Sequence, residues 1–298
     1  MGGCARSSRR WAVATRRKPV RSSRGWGNRS VLVRKGLLAV GAVLVLGALV
    51  LGLAALSGSR RGAGPAPTSP PLTVAAAADL HDAFGEIGEA WFREDGSRVV
   101  FSFGASGDLV RQIEQGAPFD VLAAANSEFV EALARRNRVL PDTQAVYALG
   151  RLALVRPPGS PRPSTDLRQL CASDFQRIAI ANPAHAPYGR AAREALIRAG
   201  LWDLLQSRLV LAPNVRQALQ YVESGNADAG LVARASAVRS ELPWSEPPAT
   251  LYGPLRQTLA VVAGGPQEAR ARRFARLVTG PQGQAILQKH GFDLPGDE

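Results

Sequence analysis

Two patterns of apolar residues divide this chain. Residues 36–56 (GLLAVGAVLVLGALVLGLAAL) form one uncharged run of 21 residues, long enough to cross a bilayer as a helix. From Leu72 onward the pattern changes. Short apolar runs alternate with segments whose apolar residues recur every three or four positions, and this predicts strands followed by helices. Residues 72–77 read as a strand. Leu80, Phe84, Ile87 and Trp91 then follow at helical spacing, with Asp79 in the position of an N-cap. Residues 99–103 read as a strand, 104–107 (GASG) as a turn, and Leu109 and Ile113 as one face of a helix that stops at Gly116. A strand at 119–125 and a helix ending by Asn137 come next. Further strands are predicted at 151–155, 178–181, 209–212, 229–233 and 258–263. Helices are predicted over 189–199, closed by Gly200, and after Asn214, closed by Gly225. Two more helical patterns precede Gly291. Residues 57–71 are a Gly, Pro and Ser-rich linker, and 156–165 (RPPGSPRPST) a surface loop. Repeated βα units with apolar strands imply sheets buried under helices, an α/β fold.

Charge changes the picture only at the N-terminus. Residues 1–61 carry thirteen Lys or Arg and no acid, and the remaining chain carries 24 basic and 24 acidic residues. The net charge of +13 and the pI near 11.1 therefore belong to the head segment. They give the body no character of a nucleic-acid binder. Eleven basic residues precede the apolar run and two follow it, so the positive-inside bias places the N-terminus in the cytoplasm and the body outside. The run is either a signal peptide, cut near 57–66, or a retained membrane anchor. It is longer than the usual apolar region of about 7–15 residues in a signal peptide. No Cys stands at its end to carry a lipid. Residues 1–35 read as a basic cytoplasmic tail or as sequence ahead of the true start, where Val31 or Val33 would open a compact signal sequence. Cys4 and Cys171 exclude a disulfide framework and a CxxC metal site; Cys171 reads as a buried small side chain. His81, His185 and His290 are far apart and show no metal-ligand spacing.

Ligands of such sheets bind beyond the carboxyl ends of strands, where helices begin. Four junctions share one composition: Ala77-Ala78-Asp79-Leu80, Gly104-Ala105-Ser106-Gly107, Ala186-Pro187-Tyr188-Gly189 and Pro213-Asn214-Val215-Arg216. Each presents backbone N–H groups at a helix start, which suits an anion. Ser106 and Tyr188 add hydroxyl donors, and Gly104 and Gly107 allow a close approach. A shell of neutral donors favours a fully ionised oxyanion of one size. Read singly, each junction is only a helix cap. An enzyme is disfavoured, since no junction carries a nucleophile elbow, a paired carboxylate or a His beside a nucleophile. His185, near Tyr188, reads as a surface loop residue. Asp79 with Tyr188 leaves a ferric or other cation site open, although the other junctions bring no further carboxylate.

These residues carry a resemblance. TVAAAADL (73–80), FGASGDLVRQIEQGAPFDVLAAA (103–125), GRLALV (150–155), IANPAHAPYGRAA (180–192), NVRQALQYVESGNADAGLV (214–232) and GPQGQAILQKHGF (280–292) together resemble the molybdate-binding proteins of bacterial ABC importers, over about residues 72–294. The resemblance implies the two-lobed (type II) periplasmic binding protein fold, with the chain crossing twice between lobes and the ligand in the cleft. Lobe one is expected to hold residues 72–149 and 250–298, and lobe two 150–249. Carried over, the oxyanion contacts fall at Ala78, Asp79, Ser106, Tyr188 and the backbone N–H of Val215, with no direct ligand to the metal and no cofactor. The implied function is extracytoplasmic capture of molybdate or tungstate by a monomer, for a membrane permease and its ATPase. Sulfate or ferric ion is the alternative ligand, and an anchored enzyme the remote reading. Two positions depart from the family. Members often have Ser, Thr or Asn at or beside position 79, and some have a tyrosine where this chain has Ala233. Tyr188 is expected to supply the hydroxyl instead. A carboxylate facing a dianion would be repelled, so Asp79 is expected to cap its helix at the His81 or Asp82 N–H and offer the ligand only its backbone N–H.

Overall fold

The computed structural model describes residues 70–296. The basic tail, the run at 36–56 and nearly all of the linker lie outside the described residues. Among the described residues no helix is long and apolar enough to cross a membrane.

The chain runs through β1 (Leu72–Ala77), α1 (His81–Asp95), β2 (Val99–Gly104), α2 (Ser106–Glu114), β3 (Val121–Ala124), α3 (Ser127–Ala134) and β4 (Ala145–Gly150). It continues through β5 (Leu152–Val155), β6 (Ile178–Ala181), α4 (Pro187–Arg198), α5 (Trp202–Leu205), β7 (Leu209–Ala212), α6 (Val215–Glu223), β8 (Ala229–Ala233), α7 (Arg234–Ala237) and β9 (Trp244–Ser245). It ends with β10 (Leu255–Val261), α8 (Glu268–Thr279) and α9 (Pro281–Lys289).

The strands form two five-stranded sheets, ordered β2-β1-β3-β10-β4 and β7-β6-β8-β5-β9. Each is built the same way. In the first, β1 runs parallel to β2 and β3, and β10 is antiparallel to β3 and β4. In the second, β6 runs parallel to β7 and β8, and β5 is antiparallel to β8 and β9. The inner parallel strands are buried on both faces, as helix-covered parallel strands must be. Val74, Ala76, Ile178, Ile180 and Leu231 are all fully buried. Over the first sheet α1 buries Phe84, Ile87 and Trp91, and Phe84 and Trp91 meet Phe274 of α8 edge to face at 6.3 and 5.6 Å. Each such side chain contributes about 1.5–3 kcal/mol by leaving water.

The structure corrects several expectations. The strand expected at 151–155 is the second of a pair. Ala145–Gly150 belongs to the first sheet and Leu152–Val155 to the second, so the chain crosses between sheets at Arg151. It returns between β9 and β10, and β10 starts at Leu255 rather than 258. The C-terminal segment closes this seam. Leu149 and Asp293 exchange both backbone hydrogen bonds at 2.8 and 3.0 Å, and the Asp293 carboxylate pairs with Arg151 at 2.6 Å and with Arg234. Cys171 is exposed, not buried, because it closes a short 3₁₀ turn whose apolar contacts come from Leu167 and Leu170.

Candidate functional site

All four junctions converge. The carboxyl ends of β1, β2 and β3 from one sheet meet those of β6 and β7 from the other around a small cavity. Ala78, Asp79, Ser106 and Ala125 line it from one side, and Tyr188 and Val215 from the other. It leaves about 10 Å³ for the centre of a water-sized sphere, the scale of a single water molecule.

Local geometry sets each group. Ser106 is fully buried, and its Oγ accepts the Ala125 N–H at 3.0 Å. That bond fixes the oxygen and leaves the hydroxyl proton free to donate. Asn214 caps α6, its Oδ1 accepting the Gln217 N–H at 3.0 Å, so Val215 opens a helix whose first N–H groups have no partner within it. Gly189 lets α4 sit tightly on the end of β6, where a Cβ would collide with the Ala181 carbonyl. Gly107 also makes a contact the sequence did not show. Its N–H donates to the His185 carbonyl across the cleft at 2.9 Å, and a Cβ there would lie 2.8 Å from that oxygen. Its missing side chain permits this contact between the two halves of the molecule.

Asp79 also departs from expectation. It lies in a 3₁₀ turn ahead of α1, and no side chain caps that turn or the helix. Its carboxyl group turns instead to Gln257 on β10, whose Nε2 donates to Oδ2 at 2.6 Å. The Tyr188 hydroxyl also reaches the carboxyl group, and it lies 3.4 Å from Gln257 Nε2. Gly150 makes room for that hydroxyl, since a Cβ there would strike it. Burial pushes the Asp79 pKa up to about 6, against hydrogen bonds from Tyr188, its own backbone N–H and Gln257 that favour ionisation. Tyr188 is held well above the ordinary tyrosine value by burial and then by Asp79, so it stays a neutral donor. Gln257 is fully buried and was not anticipated. It stands in the polar stretch Arg256-Gln257-Thr258 ahead of the apolar run Leu259–Val261, where nothing in the pattern marks it, and it meets Asp79 from 178 residues away.

These observations meet those from known proteins. The family model "Bacterial extracellular solute-binding protein" matches residues 72–293. The molybdate-binding protein ModA of Escherichia coli K12 is 32% identical over 229 residues, 75% of this chain and 89% of that protein. The chain belongs to this solute-binding family and, within it, to the molybdate-binding proteins. ModA of Rhodobacter capsulatus is 30% identical over 223 residues, covering 74% of this chain and 87% of its own. The solved periplasmic molybdate-binding protein of Azotobacter vinelandii matches with TM-score 0.69 and 33% identity, over 75% of this chain and 99% of that one. The fold is thus the two-lobed periplasmic binding protein fold, and the family is one of substrate-binding transport proteins.

Around the cavity of this solute-binding protein the chemistry changes. Arg190 pairs with Glu128 at 2.8 Å and Arg216 with Asp82 at 3.5 Å, each pair joining elements of different sheets. His185 is half-buried rather than a free surface residue. Its ring lies 3.1 Å from the Pro213 carbonyl and 3.9 Å from Asp108. A wider groove of about 310 Å³, with Glu128, Glu131, Arg190 and Glu194 on its walls, opens beside the cavity.

Proposed function

We propose that this protein captures molybdate, and tungstate as its close analogue, outside the cytoplasm and delivers it to the permease of an ABC importer. The observation that carries this reading is the cavity itself. Buried hydroxyl donors and helix starts surround one small space, and among the described residues no Lys, Arg or His lines it. Neutral donors at fixed positions select an anion by size and by its lack of protons. Lobe one, residues 72–149 and 250–298, and lobe two, residues 150–249, would close on the ion as rigid bodies about the Arg151 crossing. The oxyanion would be held through Ala78, Asp79, Ser106, Tyr188 and Val215, all acting on its oxygen atoms. A ferric site would need more carboxylates, and among the described residues Asp79 is the sole one lining the cavity.

Calorimetry with molybdate, tungstate, sulfate and phosphate tests this. Tight binding of the first two and weak or no binding of the others is expected. Ser106→Ala should weaken molybdate binding by about 1–3 kcal/mol, the cost of leaving a buried polar partner unmet. Binding of ferric ion with none of the oxyanions would overturn the assignment.

A further inference from the structure

The oxyanion reading leaves one atom unexplained, and this inference rests on that reading. Among the described residues Asp79 is the only acidic one lining a cavity whose other polar side chains include the donors Ser106 and Tyr188. Its Oδ2 is occupied by Gln257 Nε2, and in the free protein the Tyr188 hydroxyl also reaches the carboxyl group. The Gln257 amide is oriented in turn by Tyr147, whose hydroxyl donates to Oε1 at 3.5 Å. Asp79 Oδ1 is buried and has no hydrogen-bond partner. An ionised carboxylate only accepts hydrogen bonds, and a fully ionised oxyanion also only accepts. Side by side in a dry cavity they repel, and Oδ1 stays unsatisfied. A proton on Oδ1 removes the repulsion and supplies the missing donor at once.

We propose that Asp79 holds the oxyanion as a neutral carboxyl group, donating its Oδ1 proton to an anion oxygen, so that capture takes up one proton from solution. The surroundings favour this. Arg216 on α6 is engaged by Asp82, and Arg234 on α7 by Glu246 and Asp293. His81 on α1 is turned to Asp82. Tyr147 on β4 and Tyr188 on α4 are both held protonated by burial, and the Tyr252 hydroxyl is bonded to the Leu152 N–H. Each of these cations already has an acidic partner, and no Lys, Arg or His among the described residues lines the cavity to balance an ionised Asp79 beside a dianion. Burial already brings its pKa to about 6 in the free protein, and an arriving dianion raises it further. Affinity should therefore fall as pH rises above about 6, by up to tenfold per pH unit.

The test is calorimetry of the full chain with sodium molybdate, in buffers of different ionisation heat between about pH 7 and 8, where linkage applies. Uptake near one proton per molybdate, with affinity falling as pH rises, is the expected result. Asp79→Asn replaces the O–H donor with a permanent N–H donor, so it should abolish uptake and make affinity flat in pH. Molybdate binding to the unmodified protein without proton uptake overturns this inference and leaves the oxyanion reading standing. Preferential binding of hydrogen phosphate without uptake also overturns it, because the ligand then brings the proton to an ionised Asp79. Binding of no tetrahedral anion removes both readings.

Discussion

Asp79 and Asp293 are two carboxyl groups placed where the sheets meet, and the fold treats them in opposite ways. Asp293 joins Arg151 and Arg234 beside the chain crossing. Partial burial would raise its pKa, but the hydrogen bonds from the two arginines outweigh that and hold it below the ordinary value. Asp79 is buried with an amide and a hydroxyl but no cation, and its pKa rises to about 6. The difference teaches where this protein tolerates fixed charge. Charges are paired along the seam and the rim, where they join the two halves. They are kept out of the cavity, where a fixed cation would hold any anion and a fixed anion would hold none.

The largest way to sharpen this contrast is Asp79→Asn in the ligand-free protein. A carboxyl group whose folded pKa is raised stabilises fully below the unfolded value of 3.8 and loses that contribution as pH climbs through about 6. A shift of roughly two units corresponds to on the order of 3 kcal/mol. Above pH 6 the Asn variant should therefore be more stable by up to about that amount, and at pH 4 the gain should nearly vanish. Denaturant unfolding against pH measures it; a gain that persists at low pH would mean burial of charge is not its source.

Asp293→Asn should act with the opposite sign. Its pKa is lowered, so its contribution is present at neutral pH and fades as pH falls below the ordinary carboxylate range. The group is partly exposed, and we expect a loss of about 1–2 kcal/mol at pH 7, smaller in high salt. Tyr188→Phe removes a neutral donor from the cavity. Molybdate affinity should drop by about 1 kcal/mol in calorimetry, and the apparent pKa of Asp79 should rise, since a hydrogen bond that favours its ionised form is lost. The smallest effect is expected at the rim. Glu128→Gln breaks the exposed pair with Arg190 and should change affinity by less than about 1 kcal/mol, chiefly through faster ligand release in stopped-flow measurements. A rim variant that costs more than the Tyr188 variant would reverse the ranking of cavity over rim.

The sequence by itself determined much of this protein. Local periodicity and turn chemistry set the βα order, since strand pleat and helix turn impose their own spacing on apolar residues. The strands at 178–181, 209–212 and 229–233, and the Asn214 cap, are where the pattern put them. The four junctions were legible because a helix start needs small and capping residues wherever it occurs. The resemblance then pointed them at one ligand. What only the tertiary structure decided concerns partners distant along the chain. The resemblance put a lobe boundary at 149/150, but the strand Ala145–Gly150 ahead of it was not read from the pattern, and only strand pairing shows that it joins the first sheet while Leu152–Val155 joins the second. Asp79 was readable as an N-cap because capping is a local contact. Its true partner, Gln257, arrives through the order of the first sheet, where β10 lies beside β3. The charge state of a buried carboxyl group depends on such neighbours in space, and no spacing along the chain encodes them.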